Sequence, residues 1–253
     1  MNKSYWLTAM FAFVAAQFAG CVSMRPVESH HTYANSDECV VLLHGLGKTY
    51  RSMSQVEQAL QEAGYATANI DYPSRAKSIE ILASEAIPLG VSDCRAQSAQ
   101  RIHFVTHSMG GILVRYYLED NDISELGRVV MLSPPNQGIE IVDRFSGLPG
   151  FEALVGPAGA ELGGGDDGVP LQLGPADFEV GIITGDKGIN FIFSGLIPGP
   201  DDGLISVERA KLEGMTAFIV VPKSHTTISK SDQAISQVIH FLANGEFEIS
   251  GEF

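Results

Sequence analysis

The sequence predicts an α/β fold with a mostly parallel central sheet and helices on both faces. Short runs that are apolar nearly throughout, Cys39-Val40-Val41-Leu42-Leu43 and Ile102-His103-Phe104-Val105-Thr106 among them, read as strands buried on both sides. They alternate with segments of helical periodicity, the order that parallel strands joined by helical crossovers require. No internal repeat or second block of composition breaks the alternation, and a chain of 253 residues suits one domain with a sizeable core.

The elements follow in order. The strand at 39–43 ends in His44-Gly45-Leu46-Gly47, a Gly-rich turn. A helix over 52–63 is stopped by Gly64, and a strand over 65–72 is closed by Pro73. The helix starting at 79 is expected to end near 86, because Pro88 removes an N–H and crowds the preceding turn. Strand 102–106 runs into a helix over 109–119, strands follow at 128–132, 180–184 and 218–221, and a helix over 233–242 closes the chain. Between 133 and 178 lies a long insertion rich in Gly and Pro, beginning Ser133-Pro134-Pro135-Asn136.

Strand 102–106 breaks at His107-Ser108-Met109-Gly110-Gly111, a serine among small residues at a strand-to-helix turn. A hydroxyl is a weak nucleophile at neutral pH, so chemistry at such a serine needs an exposed elbow, a base and nearby N–H donors. Small residues are wanted two before and two after it, where the backbones crowd. Gly110 meets this and Thr106, which is β-branched, departs from it. The His44-Gly45-Leu46-Gly47 turn can bring backbone N–H groups close to a substrate carbonyl, since Gly45 and Gly47 put no side chain in the way. Downstream come an Asp-Gly loop, Asp201-Asp202-Gly203-Leu204-Ile205-Ser206-Val207, and His225 just past an apolar run.

With these motifs in the order Ser, Asp, His, the chain from 39 to about 242 resembles bacterial lipases and esterases of the α/β-hydrolase superfamily. The resemblance implies an α/β-hydrolase fold with the 133–178 insertion as a cap or lid. It implies Ser108 as nucleophile, His225 as base, Asp202 as the acid that orients it, and the N–H groups of Leu46 and Met109 as the oxyanion hole. It implies hydrolysis of carboxylic esters, lipid or acylglycerol esters above all, through an acyl-enzyme and without a cofactor. Acyl transfer, thioester or amide cleavage by the same triad, and a non-catalytic lipoprotein scaffold are the alternatives. Phe145, Leu148, Phe151, Leu154 and Val155, at near-helical spacing in the insertion, would cover the core or line an acyl pocket.

Asp186, directly after strand 180–184, and Asp201 compete with Asp202 for the acid role. His107 is expected to point away from Ser108 across the turn, His103 to be a core or edge residue, and His240 to sit on the last helix. No metal site is expected. No histidine pair has helical ligand spacing beside a carboxylate, and Gly163-Gly164-Gly165-Asp166-Asp167-Gly168 offers too few oxygens for calcium.

The N-terminus reads as a secretory signal over 1–20: Lys3, an apolar core too short to span a membrane, and small residues before Cys21. Phe18-Ala19-Gly20-Cys21 resembles a bacterial lipobox, which implies that Cys21 is lipidated, that 21–36 is a tether, and that the α/β domain occupies 37–253. Val22 after the cysteine resembles outer-membrane sorting, so the expected place is the cell envelope, on the periplasmic side of the outer membrane. Ordinary secretion is the alternative. Cys39 and Cys94 would then lie at one end of neighbouring strands in an oxidising compartment, either bridged or as two structural thiols. With 16 basic against 30 acidic residues and a net charge of −14, the balance argues against a nucleic-acid partner and against docking on anionic lipid through a basic patch. Membrane contact would come from the acyl anchor.

Overall fold

In the computed structural model, the structure describes residues 25–32, 36–165, 168–188 and 195–248. The leader, Cys21, and Asp166 and Asp167 lie outside the described residues. A seven-stranded sheet runs in the order β1-β3-β2-β4-β5-β6-β7. The strands are β1 (Glu28–Thr32), β2 (Glu38–Leu43), β3 (Ala66–Asp71), β4 (Arg101–His107), β5 (Leu126–Leu132), β6 (Val180–Gly185) and β7 (Ala217–Val221). All pairings are parallel except β1 with β3.

The unbroken apolar run of β2 is explained by the period-2 alternation of side chains. Cys39, Val41 and Leu43 enter the core on one face, and Val40 and Leu42 enter the core on the other. The first face is covered by α2 (Ile79–Ala96) and α3 (Met109–Asp120), the second by α1 (Ser54–Glu62) and α8 (Asp232–Asn244). Ser78 and Ser231 cap α2 and α8 by accepting the N–H groups of Ile81 and Ala234.

Two elements of the fold differ from expectation. Helix α2 runs through Pro88 to Ala96. An interior proline costs about 3 kcal/mol, and tertiary contacts beyond it offset that cost. Ile87, Val91 and Cys94 are buried, Cys94 is disulfide-bonded to Cys39, and Gly90 lies so close to β2 that a Cβ there would stand 2.5 Å from Val41 Cγ1. The tether assigned to 21–36 also gives up residues 28–32 to the sheet edge. Their sequence, Glu-Ser-His-His-Thr, has no apolar signal; backbone pairing with β3, a His30–Tyr50 ring stack at 3.6 Å and an Arg25–Asp71 ion pair at 2.9 Å hold them.

Among its described residues the insertion carries four short helices, α4 (Glu140–Phe145), α5 (Phe151–Val155), α6 (Pro157–Ala160) and α7 (Val169–Gln172). Phe145, Phe151 and Val155 join the core, while Leu148 is exposed. Arg115 of α3 ties the segment down. Its buried guanidinium donates to the carbonyls of Asn136, Pro170, Leu173 and Gly174 at 3.0–3.2 Å, and burial draws its pKa down to about 10.

Candidate active site

Ser108 is the hinge between β4 and α3, with φ 54° and ψ −123°, a conformation that a non-glycine residue adopts only under constraint. Its N–H donates to Leu132 O at 2.9 Å and its carbonyl accepts from Gly111 N–H at 3.0 Å. The turn is as crowded as the motif implies. A Cβ on Gly110 would lie 2.7 Å from Leu43 O, and one on Gly111 would lie 3.1 Å from Met131 Sδ and 3.3 Å from Thr106 Oγ1. Thr106 therefore fits in the space that Gly111 leaves open.

His225, in the loop after β7, meets Ser108 directly: its Nε2 is 3.0 Å from Ser108 Oγ, and its Nδ1 is 2.8 Å from Asp202 Oδ2. A carboxylate only accepts, so Nδ1 carries the proton and Nε2 presents a lone pair to the serine hydroxyl. Asp202 is fixed in turn, its Oδ1 accepting the N–H groups of Leu204 at 3.0 Å and Ile205 at 2.9 Å, and its carbonyl accepting His225 N–H at 2.8 Å. Gly203, at φ 98°, makes this return of the chain possible. Burial pushes the Asp202 carboxyl up, but the adjacent His225 ring and the two backbone N–H donors outweigh it and hold the pKa below the usual carboxylate value.

The competing acids lie elsewhere in the network. Asp186 pairs with Lys187 at 3.3 Å, and Asp201 accepts Gly203 N–H at 2.8 Å as turn chemistry. Ser108, Asp202 and His225 are all nearly enclosed, the serine being 4% exposed. A small cleft over Ser108 and His225 is walled by Gly45, Leu46, Ile139, Leu162 and Leu204. A wider groove between α1 and α8, lined by Gln58 and His240, contains none of the three.

The turn bearing Leu46 is braced from behind. His44 donates from Nδ1 to Gly45 O at 2.8 Å, accepts Tyr72 N–H at Nε2 at 3.3 Å, and stacks on the Tyr72 ring at 4.0 Å. Tyr72 also donates its hydroxyl to His44 O, and Gly47 donates to Ser74 Oγ at 2.9 Å. Among the described residues the Leu46 and Met109 N–H groups have no turn, loop or side-chain acceptor. A Cβ on Gly45 would come 3.0 Å from His107 Nδ1 and 3.1 Å from Ser108 Cβ, so any larger residue would have to push one of them aside by a few tenths of an ångström.

His107 departs from the expectation. Its ring sits 4.9 Å from the His225 ring, with Nε2 2.9 Å from His225 O. Nothing local to the sequence marks this contact, which joins residues 118 apart. His103 is buried as expected, and its Nδ1 accepts Arg128 N–H at 2.8 Å. Among the described residues no group of three or more His, Cys, Asp or Glu side chains converges as metal ligands would, and no helix is long and apolar enough to cross a membrane.

A family model described as palmitoyl protein thioesterase matches residues 39–160, a span that holds the 44–47 turn and Ser108 and stops short of Asp202 and His225. No curated protein matches the chain. Among solved structures, the mature lipase BlEst2 of Bacillus licheniformis superposes with a TM-score of 0.68 at 16% identity, over 87% of this chain and 99% of that one. An esterase of Thermogutta terrifontis gives 0.59 at 13% identity over 87% and 93%. An esterase of Pyrococcus furiosus gives 0.58 at 19% identity over 86% and 90%. At these identities the likeness is one of fold, and the chain has the α/β-hydrolase fold.

Proposed function

We propose that this protein is a serine hydrolase that cleaves carboxylic esters or thioesters through an acyl-enzyme on Ser108. The observation that carries the reading is the hydrogen-bonded chain from Asp202 through His225 to Ser108. In the first half-reaction Ser108 Oγ bonds to the acyl carbon while its proton passes to His225 Nε2. Asp202 stabilises the resulting imidazolium. The oxyanion sits against the Leu46 and Met109 N–H groups, a kind of donor worth about 3–4 kcal/mol each at the transition state. The C–O or C–S bond then breaks, the leaving group takes the proton from Nε2, and water repeats the sequence to release the acid.

Lipid esters suit the leucine and isoleucine walls of the cleft, and the thioesterase family match favours a thioester as the second reading. Hydrolysis of p-nitrophenyl esters and acyl thioesters of matched, rising chain length tests both. Wild type is expected to release free acid and Ser108→Ala to lose turnover by about 10³-fold or more; the preferred leaving atom decides between ester and thioester. Acyl groups delivered to an added alcohol in preference to water would replace hydrolysis by transfer.

The proposal extends to the N-terminus, where Phe18-Ala19-Gly20-Cys21 supports lipidation at Cys21 and anchoring in the cell envelope. Recovery of an acylated Cys21 peptide from the membrane fraction, and release of Cys21→Ala into soluble material, are the expected results.

A further inference from the structure

We infer that His107 is a positioning residue that locks the base loop to the nucleophile turn through its hydrogen bond to the His225 carbonyl. This rests on the hydrolase reading of Ser108 and His225. His107 Nε2 stands 2.9 Å from that carbonyl, which can only accept, so Nε2 carries the ring proton and donates it. The opposite nitrogen, Nδ1, is buried without a partner, packed where a Cβ on Gly45 would come within 3.0 Å. This is the state of a neutral ring held in one tautomer. Burial, and then the neighbouring His225, draw the His107 pKa down to about 3, so the ring adds no charge to oppose an imidazolium at His225.

The geometry gives the bond its consequence. His107 directly precedes Ser108 on the constrained turn, so a rigid ring from that backbone to the backbone of His225 fixes the separation that Ser108 Oγ and His225 Nε2 must keep, 3.0 Å. The other end of the same residue is held as well, His225 N–H donating to Asp202 O at 2.8 Å. His225 is thereby fixed by its N–H, its C=O and its ring. Loss of the carbonyl bond frees the loop by a fraction of an ångström, enough to matter where reacting atoms must stand about 3 Å apart.

Two variants differing by one methylene separate this role from packing. In His107→Gln the amide nitrogen reaches the place of Nε2 and can donate to the same carbonyl, whereas in His107→Asn it falls short. With a p-nitrophenyl ester, His107→Asn is expected to lose about 10- to 100-fold in kcat with KM within about twofold, and His107→Gln to recover to within about threefold of wild type. Melting temperatures are measured alongside. Equal activity in both variants, whether intact or equally lost, overturns the inference, as does a lowered melting temperature with unchanged kcat. Absence of turnover in wild type would instead mean that the hydrolase reading itself has failed, and the inference with it.

Discussion

Thr106 Oγ1 faces the bare Cα of Gly111, with room for no more than the 3.3 Å that a Cβ there would leave. The Thr106 hydroxyl is fully buried and has no hydrogen-bond partner. Thr106→Val, which keeps the shape and drops the unpaired hydroxyl, is expected to match wild type in kcat/KM and to be equally or more stable by about 1 kcal/mol. Thr106→Gly, which opens a void and frees the strand end, should lower the melting temperature. A loss of activity beyond about tenfold in Thr106→Val with an intact fold would assign the hydroxyl a role that this packing does not.

Asp202→Asn should cost about 10⁴-fold in kcat, as the imidazole loses its acceptor and its preferred tautomer. Asp186→Asn, at a carboxylate that pairs with Lys187, should stay within about twofold of wild type. The reverse pattern in steady-state kinetics would move the acid to Asp186.

What could be read in advance was local. The runs of β2 and β4 are apolar because both faces are covered, and the sharp turn at Ser108 shows itself through adjacent small residues, so strand, turn and the serine between them are legible together. Which of three aspartates meets His225 depends on the path of a loop, which no local pattern encodes: Gly203 at φ 98° and the Asp202 carbonyl receiving His225 N–H bring Asp202 to the ring. The continuation of α2 past Pro88, the pairing of β1 and the reach of His107 to His225 all depend on partners distant in sequence. Such contacts leave no periodic trace.

Two buried histidines make stability sensitive to mild acid. Burial draws His103 down to about 4, against a weaker opposite pull from Glu38, and draws His107 to about 3. Both are neutral in the folded chain when the unfolded chain, with histidines near pH 6.5, has begun to take up protons. Their contribution is fully present above about pH 6.5 and is lost as pH falls, toward about 4 for His103 and about 3 for His107, at no more than about 1.4 kcal/mol per unit for each ring. Urea midpoints at pH 7.5, 6 and 5 should fall in that order, and His103→Gln should flatten the trend. A midpoint independent of pH across this window would contradict the burial of these rings.

The Cys39–Cys94 bridge closes a loop of sequence separation 55, from the start of β2 to the end of α2. Replacing both cysteines by alanine should cost about 2–4 kcal/mol while leaving the Ser108 site competent. Alkylation before and after reduction checks the bond, and chemical denaturation measures its worth. Two thiols freely alkylated in material from an oxidising compartment would exclude it.

The most direct measurement is the intact mass and peptide map of the protein after reaction with a fluorophosphonate. One adduct per chain is expected, on Ser108, formed by wild type and absent from Ser108→Ala together with ester turnover. No adduct, an adduct on another residue, or turnover that survives Ser108→Ala would contradict Ser108 as the nucleophile.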